Sequence, residues 1–196
     1  MQEADFYTEF RKFHPTPHFF FPDIPSTEEL TFEKLNLENF EQLYLLFEND
    51  SSPFVDERFK TYEGARDYAK YISVCGAYSP KHGNQDWLFK SNENYAGIVH
   101  LYDLSLETFA QNHKRAWIGF CTKKTFRNQN ISLKVVRNFI DYIFRFYPAI
   151  DFIHCMTLKE NTAATSFLKK LGFSIDPEER LSRTHQFFIL SRPGLS

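Results

Sequence analysis

After Thr122 the chain reads Lys123-Lys124-Thr125-Phe126-Arg127-Asn128-Gln129-Asn130-Ile131-Ser132, and a long amphipathic run starts immediately behind it. A loop that leaves a strand and opens directly into a helix gathers unpaired backbone N–H groups and the positive end of a helix dipole at one point. Such a point attracts phosphate. The backbone must come close to the anion, so the loop favours residues that tolerate positive φ, glycine first and asparagine second. Asn128 and Asn130 meet that need, and Arg127 adds a charge. The same residues also read as a polar turn that caps a helix, and residue types alone leave both readings open. Cys75, Cys121 and Cys155 are odd in number and lack C-x-x-C spacing, so neither a metal site nor a disulfide framework is expected. They read as small buried hydrophobes. Cys121 and Cys155 invite a covalent acyl-cysteine, but for neither does the sequence show an activating arrangement of histidine and acid.

The elements that would position these groups alternate between strand and helix signals, which predicts an α/β or α+β domain around a central sheet. A first strand is expected near Leu30 to Leu35. A helix capped by Asn36 or Asn39 follows, carrying Phe40, Leu43, Tyr44 and Phe47, and another over Tyr62 to Ala77 with Tyr68, Tyr71 and Ile72 on one face. Turn material from Ser79 to Asn84 leads into three strands, Asp86 to Lys90, Tyr95 to Leu104 and Arg115 to Thr122, an antiparallel meander. The helix after the loop carries Leu133, Val136, Phe139, Ile140, Ile143, Phe144 and Tyr147 and ends at Pro148. The strand Phe152 to Met156 then completes a strand, helix, strand unit with parallel pairing. Asn161 caps a helix over Thr162 to Lys170 that Gly172 closes, and Arg183 to Leu190 reads as a last strand.

Length and composition bound the possibilities. The chain has 196 residues, 42% hydrophobic and 24% charged, the proportions of one globular domain. A net charge of -2 argues against a nucleic-acid surface, which normally leaves a basic surplus. No apolar stretch approaches the roughly 20 residues of a membrane helix, and the start Met1 to Phe10 lacks the regions of a signal peptide. The expectation is a cytoplasmic protein without membrane or nucleic-acid partners, as monomer or homodimer. Residues 1–28, with Pro15, Pro17, Pro22 and Pro25 around Phe19-Phe20-Phe21, form an extension to a domain over 29–196. That extension either packs on the domain through its rings or serves as a docking arm.

Trp117-Ile118-Gly119-Phe120-Cys121-Thr122, the loop Arg127 to Ser132, and Asn161-Thr162-Ala163-Ala164 running to Lys170-Leu171-Gly172-Phe173 together resemble the GNAT acetyltransferases, particularly the ribosomal-protein N-acetyltransferase branch. The resemblance spans residues 30 to 190 in element order. The family loop pattern is Arg/Gln-x-x-Gly-x-Gly/Ala; here Arg127 holds the first position, while Asn130 and Ser132 replace the small residues. It implies a three-layer fold, a mixed and mostly antiparallel sheet flanked by helices, with acetyl-CoA as co-substrate and a primary amine as acceptor. It further implies that Arg127, Asn128, Gln129, Asn130, Ile131 and Ser132 hold the pyrophosphate and that pantetheine lies along Phe120, Cys121 and Thr122, in a gap opposite the strand Phe152 to Met156. Asn161 would help to fix the cofactor.

The same resemblance places a tyrosine acid and a glutamate base at positions that hold Leu168 and Met156 in this chain. His154 shares a strand face with Met156, which makes it a candidate base or, alternatively, a hydrogen-bonded histidine inside a sheet. Thr165 shares a helical face with Leu168 and is a candidate donor to the leaving thiolate. Asp103 and His100, on the long middle strand, are further candidates. The loss of both family residues also admits a second function, a GNAT-like module that binds acyl-CoA or a partner without turnover.

Overall fold

The computed structural model describes residues 12–13, 16–78, 83–105, 115–176 and 182–194; much of the turn expected at Ser79 to Asn84, the start Met1 to Phe10 and Pro15 lie outside them. The elements run β1 (Leu30–Lys34), α1 (Phe40–Phe47), α2 (Tyr62–Cys75), β2 (Gly83–Ser91), β3 (Asn94–Ser105), β4 (Arg115–Thr122), α3 (Ile131–Phe146), β5 (Phe152–Leu158), α4 (Thr162–Lys170), β6 (Ser174–Ile175) and β7 (His185–Ser191). A 3-10 turn, Glu57–Lys60, precedes α2, and another, Lys124–Phe126, precedes α3. The sheet order is β1-β2-β3-β4-β5-β7-β6, antiparallel throughout except for the parallel pair β4 and β5. Of the two architectures that the alternating pattern implies, this is the α+β one.

Side-chain alternation along the strands builds a core on each face of the sheet. One face carries Trp87, Phe89, Val99, Leu101, Ala116, Ile118, Ile153 and Phe188 and is covered by α3. That helix buries Val135, Val136, Phe139, Ile140, Tyr142 and Ile143 at helical spacing. The other face presents Leu88 and Ile98 to Leu43, Phe47, Phe59, Ala65 and Ala69 of α1, α2 and the turn between them. Phe19, Phe21 and Ile24 join the α3 side, with the Phe21 ring edge-on to Trp87 at 6.2 Å between centroids. The Tyr142 and Tyr147 hydroxyls donate to the carbonyls of Pro22 (2.8 Å) and Phe20 (3.0 Å). Of the two readings of the Phe19 to Phe21 run, packing holds for Phe19 and Phe21, while Phe20 points outward.

Helix ends follow local chemistry. Thr61 accepts from the Gly64 N–H at the start of α2, and Asn161 accepts from the Ala164 N–H at the start of α4. Gly172, at φ 93°, closes α4 with the paired bonds Gly172 N–H to Lys169 and Phe173 N–H to Leu168, as the sequence predicts. Asn39 differs from expectation: its side chain turns back to the Asn36 N–H and the Lys34 carbonyl and places no bond on α1. Tyr71, expected with Ile72 on a packed face, is exposed, and Ala65, Ala69 and Cys75 take that face instead. Arg192, just past the end of β7, donates to the carbonyls of Phe144, Tyr147 and Ile150 and so caps the end of α3.

The alternation at the N-terminal run yields a direct test. Phe21→Ala should cost about 3–5 kcal/mol of unfolding free energy, whereas Phe20→Ala should stay within about 0.5 kcal/mol of wild type. Urea unfolding of the two variants distinguishes them.

Candidate functional site

The parallel ladder between β4 and β5 runs from Arg115 opposite Phe152 to Ile118 opposite Cys155 and stops there. Both strands continue, β4 to Thr122 on β3 and β5 to Leu158 on β7, so they diverge and leave a gap. A cleft of about 860 Å3 occupies it. Its walls include Gly119 to Thr122, Cys155 to Thr157, Asn128, Asn130 and Ser132, and Asn161, with Phe54, Val55 and Phe59 closing one side. On this side the edge of each strand offers unpaired backbone groups to whatever enters.

The loop into α3 has the backbone that its asparagines suggest. Asn128 stands at φ 65° and Asn130 at φ 60°, both left-handed. The first turn of a sixteen-residue helix follows without any side-chain cap from Asn130, so its leading N–H groups remain available at the positive pole of the dipole. The Thr122 hydroxyl lies 2.9 Å from that of Ser132 and ties the end of β4 to the helix start. Arg127 does not add its charge to this cradle in the simple way expected. Its guanidinium is bound by the buried carboxylate of Asp50 and by the Thr122 carbonyl (2.9 Å). It braces the loop against the end of α1. Gln129 bonds the Thr125 carbonyl on the outside and Ile131 packs toward the core, so neither reaches the cleft wall.

The candidates for proton transfer separate sharply. His154 shares the strand face of Met156, but the ladder is still closed at its level, where Trp117 stands opposite. Its ring therefore lies buried beside Trp117, 5.1 Å between centroids, with Nδ1 3.4 Å from Asp176, and away from the cleft. Of the two, Met156, beyond the last pair, reaches the gap. Burial pushes the His154 imidazole below its ordinary value, against the opposing pull of the Asp176 carboxylate. The Thr165 hydroxyl is buried without a hydrogen-bond partner among the described residues and does not reach the cleft wall, which Leu168 occupies. Asp103 lies toward the other end of β3 at φ 50°, 3.9 Å from Arg115.

His100 is the candidate that the fold brings to the cleft. Its Nδ1 lies 2.8 Å from Oδ2 of Asp86, directly opposite it on β2 and almost fully buried. Tyr68 of α2 donates its hydroxyl to the same oxygen at 2.7 Å. Burial and that carboxylate hold the Tyr68 phenol well above its usual range, so it stays a donor. Arg58 lies 4.6 Å over the Tyr68 ring and pairs with Asp56 on the cleft wall, whose carboxyl it holds below the usual range. Sequence reading missed Asp86 and Tyr68; the available signal was a carboxylate directly ahead of the apolar run Trp87-Leu88-Phe89. Burial pushes the Cys121 and Cys155 thiols up to about 12, which disfavours their thiolate forms. Among the described residues no cluster of three or more histidine, cysteine or acidic side chains could hold a metal, and no helix is long and apolar enough to cross a membrane.

The sequence profile of the acetyltransferase (GNAT) domain matches residues 29–174. No curated protein sequence matches the chain at a significant level. Among solved structures, the acetyl transferase from Salmonella typhimurium that modifies the N-terminal serine of ribosomal protein L7/L12 is similar, with TM-score 0.69, 14% identity, and 86% of this chain and 98% of that one covered. A ribosomal L7/L12 alpha-N-protein acetyltransferase in complex with coenzyme A gives TM-score 0.68 at 13% identity, covering 87% and 98%. A dodecameric spermidine N-acetyltransferase from Vibrio cholerae gives 0.59 at 15%, covering 84% and 95%. At these identities the likeness is one of fold.

His154 supplies a pH test. With its folded value below the ordinary 6.5, the native state binds fewer protons than the unfolded chain as pH falls past that point. Its contribution to stability is therefore present above about 6.5 and lost toward acid. The urea midpoint of the wild type should drop between pH 7.5 and pH 5, and His154→Gln should lessen that drop.

Proposed function

Because the chain belongs to the GNAT acetyltransferase family and is an acetyl-CoA-dependent N-acetyltransferase, we propose that it moves the acetyl group onto a primary amine by direct attack within the gap between β4 and β5. Three features support this placement. The left-handed asparagines and free helix N–H groups suit the pyrophosphate, at residues 128 to 132. The gap leads from there past Cys121 and Phe120, whose unpaired strand edge can accept pantetheine, and Asn161 borders it from α4. The single observation that carries the reading is the end of the ladder at Ile118 and Cys155, since it opens the sheet on the same side as the phosphate cradle.

In this arrangement the protein works chiefly by positioning. Two reactants held at one point avoid the entropy cost of a bimolecular encounter, and a strand N–H near Phe120 or Cys121 is placed to stabilise negative charge on the carbonyl oxygen. Thiols pushed up to about 12 by burial are poor nucleophiles near neutral pH, which favours attack by the amine itself over an acyl-cysteine route. The acceptor side is lined by Phe54, Val55, Phe59 and Met156, and its one carboxylate among the described residues, Asp56, is already paired with Arg58. This lining favours an amine carried on an uncharged body, such as a peptide N-terminus, over a polyamine.

The test combines thiol release from acetyl-CoA with calorimetric CoA binding, using 2-phenylethylamine, spermidine and a short peptide with a free N-terminal serine as acceptors. Turnover should exceed the blank with the first or the third. Binding without turnover would reverse the reading in favour of a binding module. Asn130→Val, which forces a β-branched residue into the left-handed region at about 1–2 kcal/mol, should weaken CoA binding roughly tenfold, while Asn130→Gly should preserve it. Initial-rate plots against both substrates should intersect, where an acyl-cysteine route would give parallel lines.

A further inference from the structure

His100 and Gly119 are cross-strand partners on β3 and β4, and Gly119 is the first residue of β4 beyond the ladder to β5. The missing side chain at 119 is what lets the imidazole lie on the mouth of the gap: a Cβ there would stand 3.1 Å from His100 Cδ2. The ring is fixed from every other side. Phe59 stacks on it with 5.9 Å between centroids, Tyr68 meets it edge-on, and Asp86 holds Nδ1. Nε2, across the ring from Asp86, has no hydrogen bond to any described residue, and the side chain retains 15% of its exposure. A histidine held at one nitrogen by a buried carboxylate, with the other facing the place where bonds change, has the arrangement of a general base.

We infer that His100 is the catalytic base of the transfer, through Nε2, and that Asp86 is the positioning residue that keeps the proton of the neutral ring on Nδ1, with Tyr68 fixing Asp86 in turn. This rests on the acetyl-transfer reading above. As the amine nitrogen bonds to the carbonyl carbon, its surplus proton passes to Nε2. The C–S electron pair leaves with sulfur as the CoA thiolate. The imidazolium returns that proton to the thiolate through solvent, so amide and thiol form with no proton gained or lost. Asp56 and Arg58 from the turn before α2, Tyr68 from α2 and Asp86 from β2 are the charged and titratable groups around the imidazole. None of them duplicates the imidazole nitrogen at the gap, which bonds no described residue.

The experiment compares wild type, His100→Gln, His100→Ala and Asp86→Asn for thiol release with the same three amines, for CoA affinity by calorimetry and for the pH dependence of kcat/KM. His100→Gln should lower kcat/KM about a hundredfold or more, keep the CoA affinity and erase the acidic limb of the profile. Added imidazole should restore part of the rate to His100→Ala, which a merely structural role would not allow. Asp86→Asn should lower kcat with little change in KM, and Asp86→Glu should recover part of it. An unchanged rate and profile in His100→Gln overturns the base and leaves acetyl transfer standing. A rate loss matched by lost CoA affinity and without imidazole rescue also overturns it. If the wild type binds CoA but releases no thiol with any of the three amines, acetyl transfer fails and the base fails with it.

Discussion

Parallel strands in a packed sheet normally run side by side, and here β4 and β5 do so only as far as Ile118 and Cys155. The divergence is possible because each strand has another partner to follow. Antiparallel pairing holds β4 to β3 as far as Thr122 and β5 to β7 as far as Leu158. The backbone groups left over at the gap form an open edge inside the molecule, a feature that folded proteins otherwise cover or blunt. The cleft along this edge is lined by Asn128 and Asn130 of the loop into α3 and by His100.

The gap keeps its shape because its borders are braced from outside. Arg127 joins the loop after β4 to Asp50 at the end of α1, and Asp50 also accepts from the Ser52 N–H at 2.9 Å, which anchors the segment leading to Phe54 and Val55. One buried carboxylate therefore couples the loop into α3 to the Phe54 and Val55 segment, both of which line the cleft. A buried charge of this kind is costly unless paired, so the two segments depend on each other. On the opposite face of the sheet the Trp87, Phe139 and Tyr142 rings contact one another with 5.6 to 6.1 Å between centroids, and the N-terminal Phe21 closes onto Trp87. The rigidity of that aromatic layer supports a sheet whose two halves part company at one edge.

The pairing of Asp86 with His100 shows how a buried polar contact can hinge on a single backbone irregularity. Counting outward from the tight turn at Asn92 and Glu93, Ser91 faces Asn94 and Lys90 faces Tyr95, but Phe89 then faces Gly97. The extra residue, Ala96, makes a bulge that advances the register of β3 by one position. Without it Asp86 would face Val99, on the other side of the sheet from His100. Gly97 accommodates the crowding there, since a Cβ would come within 2.2 Å of the Cys121 carbonyl.

What the sequence by itself determined is what neighbouring residues decide among themselves. The order of strands and helices follows from periodicity, the left-handed loop from Asn128 and Asn130, the start of α4 from Asn161 and its close from Gly172, and each of these depends on a few consecutive residues. The family resemblance was likewise carried by short segments. What only the tertiary structure decided is which side chains meet across the fold. Parity along β5 put His154 and Met156 on one face, yet only the level at which β4 departs tells which of them reaches the gap. The charge of Arg127 was legible, but not the buried Asp50 that takes it, 77 residues away. Asp86 and Tyr68 became partners of His100 through a bulge and a helix docked on the sheet, which no local preference encodes. Backbone conformation is settled within a turn or two of chain, whereas register and docking are settled by packing between distant segments.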